Sequence, residues 1–251
     1  MPDTIEKVTI RAFRAVDDRE TCIRFLMEQI RVLEDIGVSS VIKPDVSWCT
    51  DPDVIVVIAE HQLLGVVAGI RLHVAGSDKT LPMEQPVSKF DPNISHLLKD
   101  LQMGRTGEVA GLWNAHRFAG RGVPFLLFQS VVAIASQLRV ESLVTFVAEY
   151  VAPYAAQCGF RMMHELAEGG NFVYPVPSIH THAMVLDDPM ALSNAQDDVR
   201  RRILGLRVRP CSSRQVKPKN ATLDVDFSLM LNEELRTSFA QIDRLYHGVA
   251  A

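Results

Sequence analysis

A strand, a glycine-rich turn, a helix and a second strand follow one another within residues 107–160, and this order restricts the possible folds more than any other stretch. The first strand is expected over 109–115 and the second over 143–147, with Gly120 and Gly122 in the turn. Glycine lets the backbone approach a ligand closely, and the free N–H groups at a helix start favour an anion. The stretch therefore predicts a binding site for a phosphate or a pyrophosphate.

Two common phosphate-binding patterns do not fit this turn. No Lys-Ser or Lys-Thr pair follows the glycines, so the turn is not a P-loop. The dinucleotide fingerprint G-x-G-x-x-G also fails, because Phe125 stands where its third glycine would be. Both patterns are therefore rejected for this chain.

The turn resembles instead the acyl-CoA-binding motif R/Q-x-x-G-x-G/A of the GNAT acyltransferase superfamily. Arg117, Gly120 and Gly122 match this motif literally. A second alignment, with Ala119, Gly122 and Pro124 at the three motif positions, fits the spacing of the following helix better and is preferred. In that register the basic residue and the last glycine are both replaced, and Pro124 offers no N–H group to a phosphate.

The resemblance continues through residues 157–160, where Gln-Cys-Gly-Phe is similar to the end of the family's next helix. It fades after about Leu186. The resemblance implies an α/β fold, in which a mixed, mostly antiparallel sheet is flanked by helices and splayed near the glycine-rich turn.

The beginning of the chain predicts the order strand, helix, strand, strand with which the GNAT fold starts. A capping-box-like pair, Asp17 and Glu20, marks the start of the helix. Alternating or continuous apolar residues predict the three strands over 8–13, 54–59 and 63–74.

Two long stretches lie outside this common core. Residues 75–106 form an insertion with one short amphipathic helix, which is either functional or a plain surface elaboration. We divide the chain into a GNAT-like acyltransferase domain over 1–187, which contains the insertion, and a helical C-terminal extension over 188–251 packed on it. The extension is predicted to hold two amphipathic helices, the second over about 232–247. We expect these helices to cover a cleft opposite the glycine-rich turn and to build an apolar tunnel there for donors longer than acetyl. The alternative is that both helices pack on the outside of the sheet or form a dimer contact.

Composition and charge exclude several classes of protein. A net charge of −4 argues against a general nucleic-acid binder. The start of the chain lacks the segments of a signal peptide, and no apolar run reaches the roughly 20 residues of a membrane span. Four widely spaced cysteines without a C-x-x-C pair suit reduced thiols in a cytoplasm. His180 and His182 share a strand face but lack a third ligand, so no metal is expected.

Aminolysis of a thioester needs a bound donor, a base for the amine and stabilisation of the departing thiolate. The resemblance implies a carboxylate base at Glu108, on the strand before the turn, which acts through water. It also implies a tyrosine that protonates the thiolate from the helix after the second strand. That position is Ala155 here, so Tyr154, one residue earlier, is the candidate, with packing as its alternative role.

The donor is expected to be a CoA thioester with an acetyl or longer acyl group, and acyl carrier protein stays open as its carrier. The resemblance implies that the strand backbone before the turn pairs with the pantetheine arm and that the turn binds the phosphates. The predicted donor-binding residues are Trp113, Asn114, Ala115, Arg117, Gly120, Arg121, Gly122, Val123 and Phe125.

Eight basic residues and no acidic one stand within residues 200–219. Such a run creates a local positive field on an acidic protein. It could hold an acidic partner, either acyl carrier protein or the 3′-phosphate of CoA. The alternative is a solvated helix face followed by a basic linker.

We therefore expect a cytoplasmic N-acyltransferase that moves an acyl group from an acyl thioester to an amine of a small molecule or an amino acid. The length and the Glu-x-x-x-Leu pattern at Glu108 and Leu112 are faintly similar to the N-acyl amino acid and acyl-homoserine lactone synthase branch. Ala110 and Gly111 stand where that branch has an arginine. The alternative is a GNAT-like domain that binds an acyl thioester or a protein partner without turnover. A homodimer is an alternative to a single chain.

Overall fold

The computed structural model describes residues 5–42, 45–76, 79–101, 105–218 and 221–232. Strands form where apolar residues alternate with polar ones or run continuously, and the helices bury apolar residues against the sheet. The elements in chain order are β1 (Glu6–Arg14), α1 (Arg19–Asp35), β2 (Val54–His61), β3 (Gly65–Val74), α2 (Glu84–Val87), α3 (Ile94–Leu101), β4 (Thr106–Asn114), α4 (Val123–Ala135), β5 (Ser142–Ala148), α5 (Ala152–Gln157), β6 (Arg161–Met162), β7 (Asn171–Val173), β8 (His180–Leu186), α6 (Asp197–Val208), β9 (Cys211–Val216) and β10 (Leu223–Ser228).

All strands in the described part of the chain join one sheet. Their order is β6-β8-β5-β4-β3-β2-β1-β10-β9, and β7 also pairs with β8. The pairs β4–β5 and β1–β10 are parallel, whereas the other neighbouring pairs are antiparallel. This arrangement confirms the predicted α/β class with a mixed, mostly antiparallel sheet flanked by helices.

Helices cover both faces of the central strands. Val54, Val56 and Ile58 of β2 pack in one cluster with Phe25 of α1, whereas Ile55 belongs to the core that contains α4. Successive strand residues point to opposite faces of a sheet. A continuous apolar run is therefore what a strand between two helical layers requires.

The described part of the insertion over 75–106 packs against the sheet and is not a loose surface elaboration. Met83, which directly precedes α2, and Ile94 and Leu98 of α3 are buried in a third cluster, which includes Val144 of β5. The predicted amphipathic helix of the insertion is α3, and α2 precedes it. The insertion thus covers the sheet next to the strands that carry the predicted site.

Helix α1 is capped one residue later than the sequence pattern predicted. The Oδ1 atom of Asp18, not Asp17, accepts a hydrogen bond from the N–H of Thr21 at 3.0 Å. The other carboxylate oxygen of Asp18 pairs with Arg11 of β1 at 3.0 Å. A tertiary contact therefore holds Asp18 as the cap, although the capping-box spacing favoured its neighbour Asp17.

The C-terminal extension begins with a helix, as its periodicity predicted. Helix α6 buries Val199, Ile203 and Leu206 in the core that contains α4. Packing against α4 makes the extension part of the main hydrophobic core.

The rest of the described extension corrects the prediction that it is helical. The stretch interpreted as a basic linker contains β9, which forms an antiparallel pair with β10. Leu223, Val225 and Phe227 of β10 are buried and alternate with polar residues, which is the period of a strand. β10 pairs parallel with β1 and so extends the sheet. The second helix predicted over 232–247 lies outside the described residues beyond Asn232.

Gly69 allows α1 to pack closely on β3. A Cβ built at Gly69 would stand 2.6 Å from Cδ2 of Phe25 and 2.8 Å from Nε1 of Trp113. We expect Gly69→Ala to lower the free energy of unfolding by roughly 1–3 kcal/mol, because the core becomes overpacked. Urea unfolding measures this loss.

Gly205→Ala is the matched control in a helix. A Cβ at Gly205 meets Arg214 at 3.8 Å, an ordinary contact, so alanine should stabilise α6 by about 0.5–1 kcal/mol. A Gly69→Ala protein as stable as wild type would contradict the close packing of α1 on β3.

Candidate acyl-thioester site

Strands β4 and β5 pair over a short distance and then separate. Their ladder runs from Thr106↔Ser142 to Val109↔Thr145. At its last step the Thr145 hydroxyl donates to the Val109 carbonyl at 2.7 Å. Gly111 then adopts a left-handed φ of +64°, and the register of β4 with β3 shifts beside it. A cleft therefore opens between the ends of β4 and β5.

The cleft has a volume of about 370 Å³. Its walls come from the C-terminal half of α1, the separated ends of β4 and β5, helix α5 and the segment before β8. A largely apolar cleft with a few polar groups is typical of a small-molecule site. This one can hold an acyl chain or a pantetheine arm. The lining includes Val32, Leu33, Ile36, Leu112, Trp113, Asn114, Pro124, Phe146, Tyr154, Tyr174 and Ile179.

The described part of the C-terminal extension does not build this cleft. None of the described residues after Thr181 lines it. Helix α6 packs on α4 instead, and the β9–β10 hairpin lies beyond β1. The prediction that the extension covers the cleft as an apolar tunnel is therefore wrong for residues 188–218 and 221–232.

The glycine-rich turn presents backbone N–H groups at the start of α4. Gly120 and Gly122 have φ values of +80° and +75°, which glycine adopts without strain. Among the described residues, no acceptor receives the N–H groups of Gly120, Arg121, Gly122 and Val123. Pro124 lies in the first turn of the helix, where its missing N–H costs no intrahelical bond. The turn thus has the free donors that an anion site at a helix N-terminus requires.

The two arginines predicted at the turn are both held in ion pairs. Arg117 pairs with Glu28 of α1 at 2.6 Å and donates to the carbonyl of Val66 at 3.0 Å. Arg121 donates through Nη2 to Glu6 of β1 at 2.9 Å. Either guanidinium would have to leave its carboxylate to bind a phosphate, so the backbone donors are the stronger candidates.

The loop after β9 covers one side of the turn. A Cβ built at Gly122 would stand 2.9 Å from Cβ of Pro218, whereas one at Gly120 would meet nothing within 4 Å. The extension therefore touches the predicted phosphate site, and Gly120 marks the open side of the turn.

Some of the residues predicted to contact the donor line the cleft, whereas others are buried in the core. Trp113 lines the cleft and packs edge-on against Phe25 at 5.4 Å between ring centroids. Its Nε1 and the Oδ1 of Asn114 are buried without a hydrogen-bond partner in the described structure. Ala115 and Val123 are buried in the core, at 3% and 0% exposure, so only their backbone can meet a donor.

Tyr154 reaches the cleft although the family position is the next residue. Ala155 is fully buried in the core, and Tyr154 lines the cleft. The Tyr154 ring stacks on Phe125 at 5.3 Å between centroids and so joins α5 to the first turn of α4. The Tyr154 side chain therefore both packs against α4 and lines the cleft.

Glu108 is buried away from the cleft. Its Oε2 accepts a hydrogen bond from the N–H of Met83 in the insertion at 2.8 Å, and its side chain does not line the cleft. Burial raises the pKa of Glu108 to about 8, against the opposing effects of the Met83 hydrogen bond and the charge of Arg71. A base with a pKa near the working pH is efficient, but this carboxylate can act on an amine in the cleft only through water.

Two polar residues of β3 lie beside Glu108. The site residues predicted from the sequence did not include them. His73 is paired with Glu108 across the strands, and Arg71 is two residues away on β3. The Arg71 guanidinium lies over Trp48 at 4.4 Å. It also fills the space beside Gly111, where a Cβ would stand 2.6 Å from Nη2. The missed signal was a pair of alternating polar residues in an otherwise apolar strand.

Burial shifts the pKa values of both of these side chains. It lowers the pKa of Arg71 to about 10 and lowers the pKa of His73 well below its ordinary value. The Nε of Arg71 and the Nε2 of His73 have no hydrogen-bond partner in the described residues. Buried nitrogens without a protein partner normally form a hydrogen bond with a water molecule or a ligand.

The described residues contain no group of three or more His, Cys, Asp or Glu that could hold a metal ion. His180 is exposed on β8 and His182 is half-buried, with its Nδ1 unpartnered in the described structure. In the same residues, no helix combines the length and the hydropathy needed to cross a membrane.

Comparisons with known proteins bear on the fold. No family model matches the chain, and no curated protein matches it. FeeM, an N-acyl amino acid synthase from uncultured soil microbes, has a similar structure, with a TM-score of 0.55 and 16% identity over 76% of this chain and 96% of that one. BjaI, a CoA-dependent acyl-homoserine lactone synthase, has a TM-score of 0.51 and 14% identity over 93% of this chain and 99% of its own. These similarities confirm the GNAT-like fold predicted from the sequence.

The match to BjaI also bears on the C-terminal extension. A match over 93% of this chain has to reach well into residues 188–251. At least part of the extension therefore belongs to the fold that the two proteins share.

Glu108 should make the protein less stable as the pH rises. Its pKa is about 8 in the folded chain and about 4.3 in an unfolded chain, so the folded state binds the extra proton between these values. The stabilising effect of this proton is complete below about pH 4 and is lost as the pH rises through about 8, by roughly a few kcal/mol. Glu108→Gln should remove this loss.

Chemical denaturation at about pH 5, 7 and 9 measures the difference. We expect Glu108→Gln to gain stability relative to wild type as the pH rises. Glu141→Gln, which changes an exposed side chain, should follow wild type. A difference between Glu108→Gln and wild type that stays constant over this range would contradict a neutral, buried Glu108.

Proposed function

We propose that the chain is an N-acyltransferase, which moves an acyl group from an acyl thioester to the amine of a small molecule or an amino acid. The observation that carries the proposal is the cleft between β4 and β5, because Pro124 links its apolar walls to the free N–H groups of the turn. A CoA thioester has matching parts: an acyl chain, an arm with amide groups, and phosphates. The backbone of β4 beyond Val109, which does not pair with β5, is available to the amide groups of the arm.

The names of the similar structures support the same class of reaction. FeeM is an N-acyl amino acid synthase, BjaI is a CoA-dependent acyl-homoserine lactone synthase, and a second structure of BjaI contains SAM and isopentyl-CoA. We take from these names the donor class, an acyl thioester, and the acceptor class, a small amine.

Aminolysis requires the amine to lose a proton and the departing thiolate to gain one. We assign the first step to Glu108, acting through water, and the second to Tyr154, which lines the cleft. With a pKa of about 8, Glu108 is partly ionised near neutral pH and can accept the proton. The unpartnered nitrogens of Arg71 and His73 offer hydrogen bonds to the water that this route needs.

A second candidate is a domain that binds an acyl thioester or a protein partner without turnover. The position of Glu108 favours it, because Met83 covers this carboxylate and no carboxylate of the described residues lines the cleft. The two candidates differ in whether an amine releases thiol from a bound donor.

The setting of the protein is also part of the proposal. We place it in a reducing cytoplasm, which its four unpaired cysteines suit.

Acyl carrier protein is an alternative carrier of the acyl group, and a homodimer is an alternative to a single chain. The chain divides at residue 187 into an acyltransferase domain and an extension in this proposal.

Release of free thiol from acyl-CoA tests the function. We expect release to require both acyl-CoA and an amine or amino acid. Gly120→Asp should weaken donor binding roughly tenfold or more, because a carboxylate at the turn repels the phosphate. Gly120→Asn should weaken it far less, because asparagine tolerates the same left-handed backbone without the charge. Equal losses in the two variants would argue against an anion at this turn.

The same assay separates the two candidates. Glu108→Gln should lower turnover roughly 10²–10⁴-fold, because general base catalysis contributes that much, and donor affinity should stay the same. Binding of acyl-CoA without thiol release, in wild type and with every amine tried, would favour the domain without turnover.

The walls of the cleft predict a donor longer than acetyl. Hexanoyl-CoA has four more methylenes than acetyl-CoA, and burying each contributes ~0.8 kcal/mol, so affinity should rise about a hundredfold. Leu33→Trp, which fills the cleft from α1, should lower the use of decanoyl-CoA and hexanoyl-CoA but not of acetyl-CoA. Met27→Trp is the matched control, because Met27 is exposed on the same helix and does not line the cleft. Equal or better use of acetyl-CoA by wild type would refute an acyl chain in the cleft.

A further inference from the structure

A second cavity, of about 330 Å³, lies between the first turns of α4, helix α6 and the end of β9. Its basic side chains are Arg202, Arg214 and Lys217, and the C-terminal extension contributes all three. No carboxylate of the described residues lines this cavity. The reaction proposed for the cleft does not use it.

Two of these three cations have no acidic partner among the described residues. Arg202 pairs with Asp198 at 2.8 Å. Arg214 instead lies over the ring of Phe227 at 5.1 Å and donates to a serine hydroxyl, and Lys217 forms no ion pair in the described structure. The arginines at the glycine-rich turn, in contrast, are both paired. Two uncompensated cations on one cavity favour a bound anion.

The cavity adjoins the glycine-rich turn in two places. Pro218, the neighbour of Lys217, lines the cavity and packs on Gly122, where a Cβ would stand 2.9 Å from the proline. Phe125 also lines the cavity, and its ring stacks on Tyr154 of the cleft. A ligand whose phosphate lies at the turn can therefore extend into the cleft on one side and into the cavity on the other.

We infer that this cavity binds the 3′-phosphoadenosine end of free CoA, with Arg214 and Lys217 on the 3′-phosphate. The inference rests on the proposed function, since the pyrophosphate at the turn fixes where the adenosine begins. Leu206 and Phe227 provide the apolar surface that an adenine ring requires. The phosphopantetheine of a carrier protein has neither adenosine nor 3′-phosphate. The cavity therefore selects a free CoA thioester over an acyl carrier protein as the donor.

Calorimetric titration with CoA and with 3′-dephospho-CoA tests this inference without an acceptor. Wild type should bind CoA roughly tenfold to a hundredfold more tightly, as expected for hydrogen bonds to a charged group. In the double variant Arg214→Ala/Lys217→Ala the two affinities should become about equal. The change should come from weaker binding of CoA, while the affinity for 3′-dephospho-CoA stays close to that of wild type.

The matched control is Arg201→Ala/Arg209→Ala, which removes the same charge from exposed positions of the extension outside the cavity. This control should keep the preference for CoA. An equal loss of preference in both double variants means a diffuse positive field and overturns the inference. Thermal unfolding at the wild-type temperature shows that each variant is folded.

The outcomes separate this inference from the proposed function. Equal affinity of wild type for CoA and 3′-dephospho-CoA overturns the assignment of the cavity, whereas thiol release from 3′-dephospho-acyl-CoA still reports acyl transfer. A preference for CoA that depends on Arg214 and Lys217 supports the cavity even where no amine releases thiol, and in that case only the reaction is refuted.

Discussion

The early separation of two parallel strands is the constraint on which the rest of the site depends. A ladder that continued beyond Val109 and Thr145 would pair the backbone of β4 with β5 and leave no cleft. Backbone groups left unpaired inside a sheet cost roughly 1–3 kcal/mol each, unless water or a ligand bonds them. The left-handed Gly111 redirects β4 at this point. The same gap leaves the first turn of α4 accessible, so the cleft and the proposed phosphate site arise from one irregularity.

Arg71 and His73 of β3 and Glu108 of β4 form a buried polar cluster. Burying these groups costs free energy of folding that apolar residues would not cost. Burial raises the pKa of Glu108 and lowers that of Arg71, so it opposes the charge on both. No hydrogen bond joins the two side chains in the described structure, and their attraction therefore does not offset the loss of hydration. Buried titratable groups with shifted pKa values, on a strand that borders a cleft, are typical of functional sites. This combination is the physical reason to assign proton transfer to Glu108 although it lies outside the cleft.

As far as β8, local patterns were sufficient to predict the order of the main strands and helices and the position of the turn, because each depends on one short segment. The β10 strand was also visible in the alternation of residues 223–227, but the basic residues before it led to the prediction of a linker. Long-range contacts were not visible. The carboxylates that hold Arg117 and Arg121 are 89 and 115 positions away. The position of Arg71 depends on Gly111 in another strand. Such contacts follow from register and packing, which the periodicity of a single segment does not contain.

The strand order explains why the C-terminal extension matters to the proposed donor site. β10 pairs with β1, whose first residue, Glu6, holds Arg121 of the turn. The loop after β9 places Pro218 on Gly122. Helix α6 buries three apolar side chains on α4, each contributing ~1.5–3 kcal/mol. A chain that ended at residue 187 would expose this side of α4 and remove the outer wall of the turn. Residues of the extension therefore form one side of the proposed donor site.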